Sequence, residues 1–215
     1  MQLTCTVATT PEEFDEVYRI RYECYRRRGS IPESADKRFR DSYDDLPNHF
    51  SFLLRKPGEP GLATVRISVV KPWANWNVAP VHKVFGDHTA IPAITRGGFV
   101  EASRLCFGEL AQREILFRLM ANMAAMADLH EVRYLVACPR EEHAPMYQRW
   151  FGFQPLGAPR QYFGVSFATP LLAVERTELR RITADVRPMR EAWGRASMDL
   201  AAAQRPDSRM FAMAA

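Results

Sequence analysis

The sequence predicts one domain of the α/β (α+β) class, a mixed and mostly antiparallel sheet flanked by helices, with a helix appended at the C-terminus. Three observations predict it. The chain of 215 residues exceeds the usual domain size but is short for two complete cores. Apolar residues make up 47% and charged residues 25%, the balance of an ordinary folded protein. Stretches of two-residue and of 3.6-residue hydrophobic period follow one another along the chain in the order strand, helix, two strands, strand, helix, strand, helix, two strands, helix. The domain is placed at residues 1–175, a helical extension at 176–205 and a flexible tail at 206–215.

Residues 2–8 alternate as a short strand. Thr10-Pro11-Glu12-Glu13 then opens a helix with an N-cap, a proline at the first helical position and acids at the positive dipole end. Residues 30–48, polar and punctuated by Pro32 and Pro47, read as loop and short helix. His49–Arg55 and Leu62–Val70 form a hairpin about the turn-rich Lys56–Gly61. Lys71–Gly98 lacks sustained periodicity and reads as a long loop, a class that is usually functional. Phe99–Phe107 is a strand and Leu110–Leu129 a helix, periodic through Ile115, Leu119, Met123 and Met126. Arg133–Cys138 is an apolar strand, and Pro145–Phe151 a short helix ending at Gly152. Phe153–Leu156 is a short strand, Gln161–Val174 a longer one interrupted near Pro170, and Arg176–Arg205 a basic amphipathic helix kinked at Pro188. No repeat of 20–50 residues is present.

Composition narrows the function classes. A net charge of +4 spread among 25 acids gives no basic stripe for nucleic acid, though a local patch for an acidic protein remains open. Cys5, Cys24, Cys106 and Cys138 lack metal-ligand spacing and suit a reducing compartment as small apolar residues, so neither a metal site nor a disulfide framework is expected. The N-terminus has no leader pattern and no run approaches the roughly 18 apolar residues of a membrane span, so the expected location is the cytoplasm.

Two motifs carry chemistry. The run Tyr147-Gln148-Arg149-Trp150-Phe151-Gly152-Phe153 resembles the late motif of the GNAT acyltransferases, a Tyr-bearing helix that stops at Gly-Phe before a strand, and the element order is also theirs. Arg21 and Tyr25 lie one helical turn apart, Asp41-Ser42-Tyr43-Asp44 follows in the loop, Arg66 falls in the third strand, and Glu101-Ala102-Ser103-Arg104 lies on the fourth. This set resembles the acyl-homoserine-lactone synthases (LuxI-type) and their relatives, the N-acyl amino acid synthases (FeeM-type), over roughly residues 15–110. The resemblance implies a GNAT-like fold and an N-acyltransferase that moves a long-chain fatty acyl group onto an amine. It implies Glu101, Arg104 and Tyr147 as catalytic residues, with Tyr147 protonating the leaving thiolate. It also implies Arg21, Tyr25, Asp41, Asp44, Arg66, Ser103, Leu105 and Cys106 as substrate-binding, backbone N–H groups near Leu105 and Cys106 meeting the oxyanion.

The residues read on their own support this chemistry. Arg21, Asp41, Asp44, Arg66 and Arg104 balance one another as an alternating charge network. Strand alternation puts Glu101 and Ser103 on one face and Ala102 and Arg104 on the other, unless a bulge intervenes. Amide formation needs a deprotonated amine, and Glu101 is the carboxylate chosen to accept its proton. Coenzyme A-dependent GNATs carry a glycine-rich, Arg-containing turn after the fourth strand, whereas Cys106–Arg113 here has one glycine and an acid. The expected donor is therefore the acyl-phosphopantetheine of an acyl carrier protein, with no resident cofactor. Arg26-Arg27-Arg28 and Arg180-Arg181 are candidate docking charges for that acidic partner. Phe117, Met120, Met123 and Met126 are candidate acyl-pocket residues.

The lactone synthases carry a Trp ten residues beyond the helix Arg, where this chain has Ile31. That departure favours an amino acid as acceptor, its carboxylate met by Arg66, Arg104 or Arg96. A lactone synthase using S-adenosylmethionine, a conventional acetyltransferase and a non-catalytic carrier-binding protein are the alternatives.

Overall fold

In the computed structural model, residues 3–72, 78–107 and 113–203 are described. The expected tail at 206–215 and the Gly108–Gln112 part of the donor turn lie outside them. Seven strands form one sheet in the order β1-β2-β3-β4-β5-β7-β6, with β1 Thr4–Val7, β2 His49–Arg55, β3 Gly61–Val70, β4 Phe99–Phe107, β5 Tyr134–Ala137, β6 Gln154–Gln161 and β7 Ala168–Glu175. Every pairing is antiparallel except β4 with β5.

The helices cover both faces. On one, α4 (Arg113–Leu129) and α7 (Arg187–Ala203) pack along each other, joined by α5 (Ala144–Phe151) and α6 (Arg176–Thr183). Their apolar side chains form the main core with alternate strand residues such as Val65, Ile67, Val100, Leu135 and Leu172. On the other face, α1 (Pro11–Arg27) sets Val17 against Leu53. Two short helices, α2 (Pro80–Phe85) and α3 (Ile91–Gly97), bury Val81, Phe85, Ile91 and Ile94 beneath Phe99, Val136 and Leu171.

Local chemistry explains the boundaries. Thr10 caps α1 in a capping box with Glu13, and Pro11 begins the helix, as the sequence predicts. Gly152 ends α5 at φ 70°, the left-handed conformation, where a Cβ would meet Ile182. Three segments differ from expectation. The long loop 71–98 contains α2 and α3, because Pro80 and Pro92 occupy first-turn positions where a proline starts a helix instead of breaking one. Pro188 likewise opens α7, so the C-terminal segment is two helices and not one kinked helix. The run 153–174 is one hairpin, β6 and β7 about a turn at residues 162–167 with Gly164 at φ 73°, and Pro170 lies inside β7.

Candidate active site

The site is built on β4, where two irregularities coincide. Parallel pairing with β5 ends at Ala102 opposite Ala137, and beyond it the strands part. Opposite β3, Ser103 pairs with Arg66 and Cys106 with Thr64, so Arg104 and Leu105 face the single residue Val65, a β-bulge. Arg104 takes a φ of 54°, a left-handed conformation that costs a side-chain-bearing residue roughly 1–2 kcal/mol. The bulge shifts the alternation by one residue. Arg104 thus joins Glu101 and Ser103 on the face toward α1 and α2, while Leu105 and Phe107 pack against the main core. Regular alternation would have sent Arg104 to the opposite face.

That face holds a buried ion network. Arg21, Arg66 and Arg104 are almost wholly buried. Arg66 Nη1 lies 2.6 Å from Asp41 Oδ1 and 3.1 Å from Asp44 Oδ1, and Arg66 Nε donates to Ser103 Oγ at 3.1 Å. Arg104 Nη2 donates to Asp41 Oδ2 at 2.7 Å. Arg21 Nη1 reaches Asp44 Oδ1 at 2.7 Å and its Nη2 reaches Ser51 Oγ at 2.9 Å. Asp41 also caps the 3-10 turn Ser42–Asp45, and Asp44 Oδ2 accepts a hydrogen bond from the Asp41 N–H, which fixes both acids on one short turn. Burial alone would raise the Asp41 carboxyl, but Arg66 and Arg104 outweigh it and hold it well below the usual carboxylate range. The Arg104 guanidinium sits over the rings of Phe39 at 4.6 Å and of Tyr25, Tyr162 and Phe163 at 5.6–5.8 Å.

Glu101 is fully buried beside this network. Its Oε2 accepts from the Val81 backbone N–H at 2.9 Å and its Oε1 from the Tyr162 hydroxyl at 3.1 Å. Burial pushes its carboxyl up to about 7, against the Val81 N–H and the Arg66 charge, which favour the ionised form. A carboxylate with that proton affinity suits acid–base work at neutral pH.

Where β4 and β5 part, a cavity of about 410 Å³ opens. Leu105, Phe107, Leu116, Met146 and Trp150 give it apolar walls, and Arg28, Arg113, Arg140 and His143 line it as basic groups. Arg28 Nη1 lies 3.2 Å from His143 Nε2, and Arg140 Nη1 donates to Ser30 Oγ at 2.8 Å. Among the described residues no acid lines the cavity. Tyr147 does, and burial raises its phenol above the ordinary tyrosine value. Cys24 also lines it; the neighbouring Cys106 thiol lowers Cys24 to about 6 despite burial.

The structure brings Arg21, Asp41, Asp44, Arg66, Ser103 and Arg104 together as predicted, and places Tyr25, Ser103, Arg104, Leu105 and Tyr147 on the cavity. Glu101 and Cys106 do not line it; both are buried behind its wall. The acyl-pocket expectation is corrected. Phe117, Met120, Met123 and Met126 lie in the main core, because the cavity reaches only the first turn of α4, at Arg113 and Leu116. Phe117 instead packs edge-on against Trp150 and Phe151. Of the docking charges, Arg28 is exposed on the cavity and Arg26 and Arg27 precede it at the end of α1. Arg180 and Arg181 pair with Asp128 and Glu178, away from the cavity lining. Arg96 is exposed on α3, outside the network. Sequence reasoning did not single out Val81, Arg140, His143 or Tyr162. Only the unusual loop length before β4 pointed toward Val81, and nothing local marks the others.

A family model described as N-acyl amino acid synthase FeeM matches residues 16–175. Among solved structures, that of FeeM, an N-acyl amino acid synthase from uncultured soil microbes, is 18% identical with a TM-score of 0.70, the match covering 84% of this chain and 94% of that one. The acyl-homoserine-lactone synthase LasI is 15% identical with a TM-score of 0.62 over 84% and 94%. The coenzyme A-dependent lactone synthase BjaI is 18% identical with a TM-score of 0.60 over 91% and 98%. No curated protein sequence matches significantly.

Proposed function

Because this chain belongs to the N-acyl amino acid synthase FeeM family, we propose that it transfers a long-chain fatty acyl group from the phosphopantetheine thioester of an acyl carrier protein to the amine of an amino acid. The observation that carries this reading is the cavity at the β4–β5 split: apolar walls for a thioester and its chain, basic side chains for the arm's phosphate and its carrier, and no acid among the described lining residues.

The amine attacks the thioester carbonyl; the C–N bond forms, the C–S bond breaks, and the amine proton passes to Glu101 by way of water, because the carboxylate lies behind the cavity wall and not on it. With its proton affinity near 7, Glu101 is ionised in a large fraction of molecules at neutral pH. The bulge at Arg104 and Leu105 turns backbone N–H groups out of the regular ladder beside the cavity, where the oxyanion develops. Tyr147 has a raised phenol, so it holds its proton more tightly than a departing thiol of ordinary pKa, about 8.5, and contributes a hydrogen bond to the sulfur rather than a complete proton transfer. Asp41 and Asp44 are consumed by Arg21, Arg66 and Arg104 and hold this face in shape; of the three arginines only Arg104 also lines the cavity, where it meets the acceptor carboxylate.

The test is a reconstituted reaction. Purified protein is incubated with acyl-carrier proteins of different chain length, or with the matching acyl-coenzyme A, and with single amino acids, and products are read by mass spectrometry. N-acyl amino acid from the carrier-linked donor alone supports the reading. Product from coenzyme A alone removes the carrier, since BjaI is by name coenzyme A-dependent on a similar fold. Turnover of S-adenosylmethionine in place of amino acids removes the acceptor.

A further inference from the structure

The two oxygens of Glu101 are held by unlike donors. Oε2 accepts from the backbone N–H of Val81 in the first turn of α2, a group fixed by the helix. Oε1 accepts from the Tyr162 hydroxyl, a donor carried on the turn between β6 and β7, 61 residues further along the chain. Tyr162 is itself buried, its ring stacked on Phe163 at 4.8 Å and 5.6 Å from the Arg104 guanidinium. Burial and the Glu101 charge push its phenol well above the ordinary value, so the hydroxyl keeps its proton and remains a donor to the carboxylate.

The same turn is tied to the end of α1 and borders the cavity. Ser166 donates its backbone N–H to Ser30 O and its hydroxyl to Gly29 O, clipping the turn to the end of α1. Phe167 walls the donor cavity and stacks over Tyr25 at 6.2 Å. The other groups facing Glu101 are Arg66 from β3, Arg104 from β4, Tyr43 from the 3-10 turn and Cys138 from the end of β5. None of these donates a hydrogen bond to its carboxylate among the described residues.

Resting on the reading of Glu101 as proton acceptor, we infer that Tyr162 is its positioning residue, holding one carboxylate oxygen in place and maintaining the proton-accepting form. Removing one hydrogen bond to an ionised carboxylate favours the protonated acid, whose loss of activity lies on the acidic side of the pH profile. In Tyr162→Phe the acidic limb of kcat/KM therefore moves up by about one pH unit. At pH 7 the variant loses about fivefold, and by pH 9 the loss is largely recovered, which a merely structural defect does not do.

Three measurements test this. The kcat/KM profile of Tyr162→Phe is compared with wild type; a loss of equal size at every pH, or no loss at any pH, overturns the inference. Titration of the Glu101 carboxyl carbon by NMR in the substrate-free protein reads the same upward displacement without any turnover, so it fails independently of the proposed reaction. An unmoved titration overturns the inference even if N-acyl amino acid is made. Should Tyr162→Phe lose its fold by circular dichroism, 3-fluorotyrosine at position 162 supplies a stronger donor of nearly the same shape. It is expected to move the Glu101 titration downward, and an unmoved or upward titration overturns the inference.

Discussion

In the network around Asp41 each charge is spent on another charge of the same chain, whereas at the cavity beside it Arg28 and Arg113 meet no acid within the lining. Arg104 touches both regions. The difference teaches which cations are free to recognise a ligand. A buried guanidinium whose fork is filled by Asp41 has been desolvated and compensated during folding, and its role is to hold shape. A guanidinium at an open mouth keeps its water until something acidic arrives, and that exchange is available for binding.

The comparison breaks most sharply if Asp41 is removed. Asp41→Asn preserves size but leaves Arg66 and Arg104 buried against each other without their shared counter-charge, and is expected to cost about 3–5 kcal/mol in urea unfolding. A loss below about 1 kcal/mol would mean that the network is not what organises this face.

Glu101→Gln gives a smaller effect with a pH signature. The folded carboxyl lies near 7 and the unfolded one near 4.5, so a raised folded value means stability is greatest below 4.5 and declines as pH rises through 7. Gln does not titrate, so its stability relative to wild type should improve by up to about 3 kcal/mol between pH 4.5 and pH 8. Turnover should fall strongly at the same time. A stability difference that is flat with pH would show that Glu101 is ordinarily ionised in the fold.

Much of this arrangement was legible in the sequence, for uneven reasons. The bounds of β2 and β4 follow from hydrophobic alternation, and the ends of α1 and α5 from Thr10, Pro11 and Gly152, because those signals are local. The turn at 162–167 is not legible in the sequence, since its aromatic and β-branched residues continue the strand pattern and only Gly164 marks the reversal. The charge network was visible as a spaced set of residues, but the face occupied by Arg104 was not, because the bulge is invisible to a two-residue period. The partners of Glu101 lie 20 and 61 residues away, and no local pattern announces them. The core position of Met120 and Met123 depends on where the cavity ends, which is a property of the packed fold.

At the cavity, Arg28→Glu reverses a charge that no acid compensates, so the fold should be unaffected while carrier-protein binding weakens about tenfold at low salt and less at high salt. Arg27→Glu, one residue inside α1 and not on the cavity, is the matched control. Occupancy can be read by protection of Cys24, whose lowered thiol should be alkylated near neutral pH. Equal weakening by both variants would place the docking face on the helix end as a whole.

The smallest expected effect separates wall from core within α4. Met123→Leu is volume-conserving at a fully buried position outside the cavity, so it should cost less than about 1.5 kcal/mol and leave the distribution of acyl products unchanged. Leu116→Phe, two turns earlier, adds bulk to a side chain that forms the cavity wall, and should shorten the preferred chain in product profiles from mixed acyl donors. If Met123→Leu moved the product distribution and Leu116→Phe did not, the acyl chain would run into the core beneath the first turn of α4, and the boundary drawn here between ligand wall and packed interior would shift to Met120 and Met123.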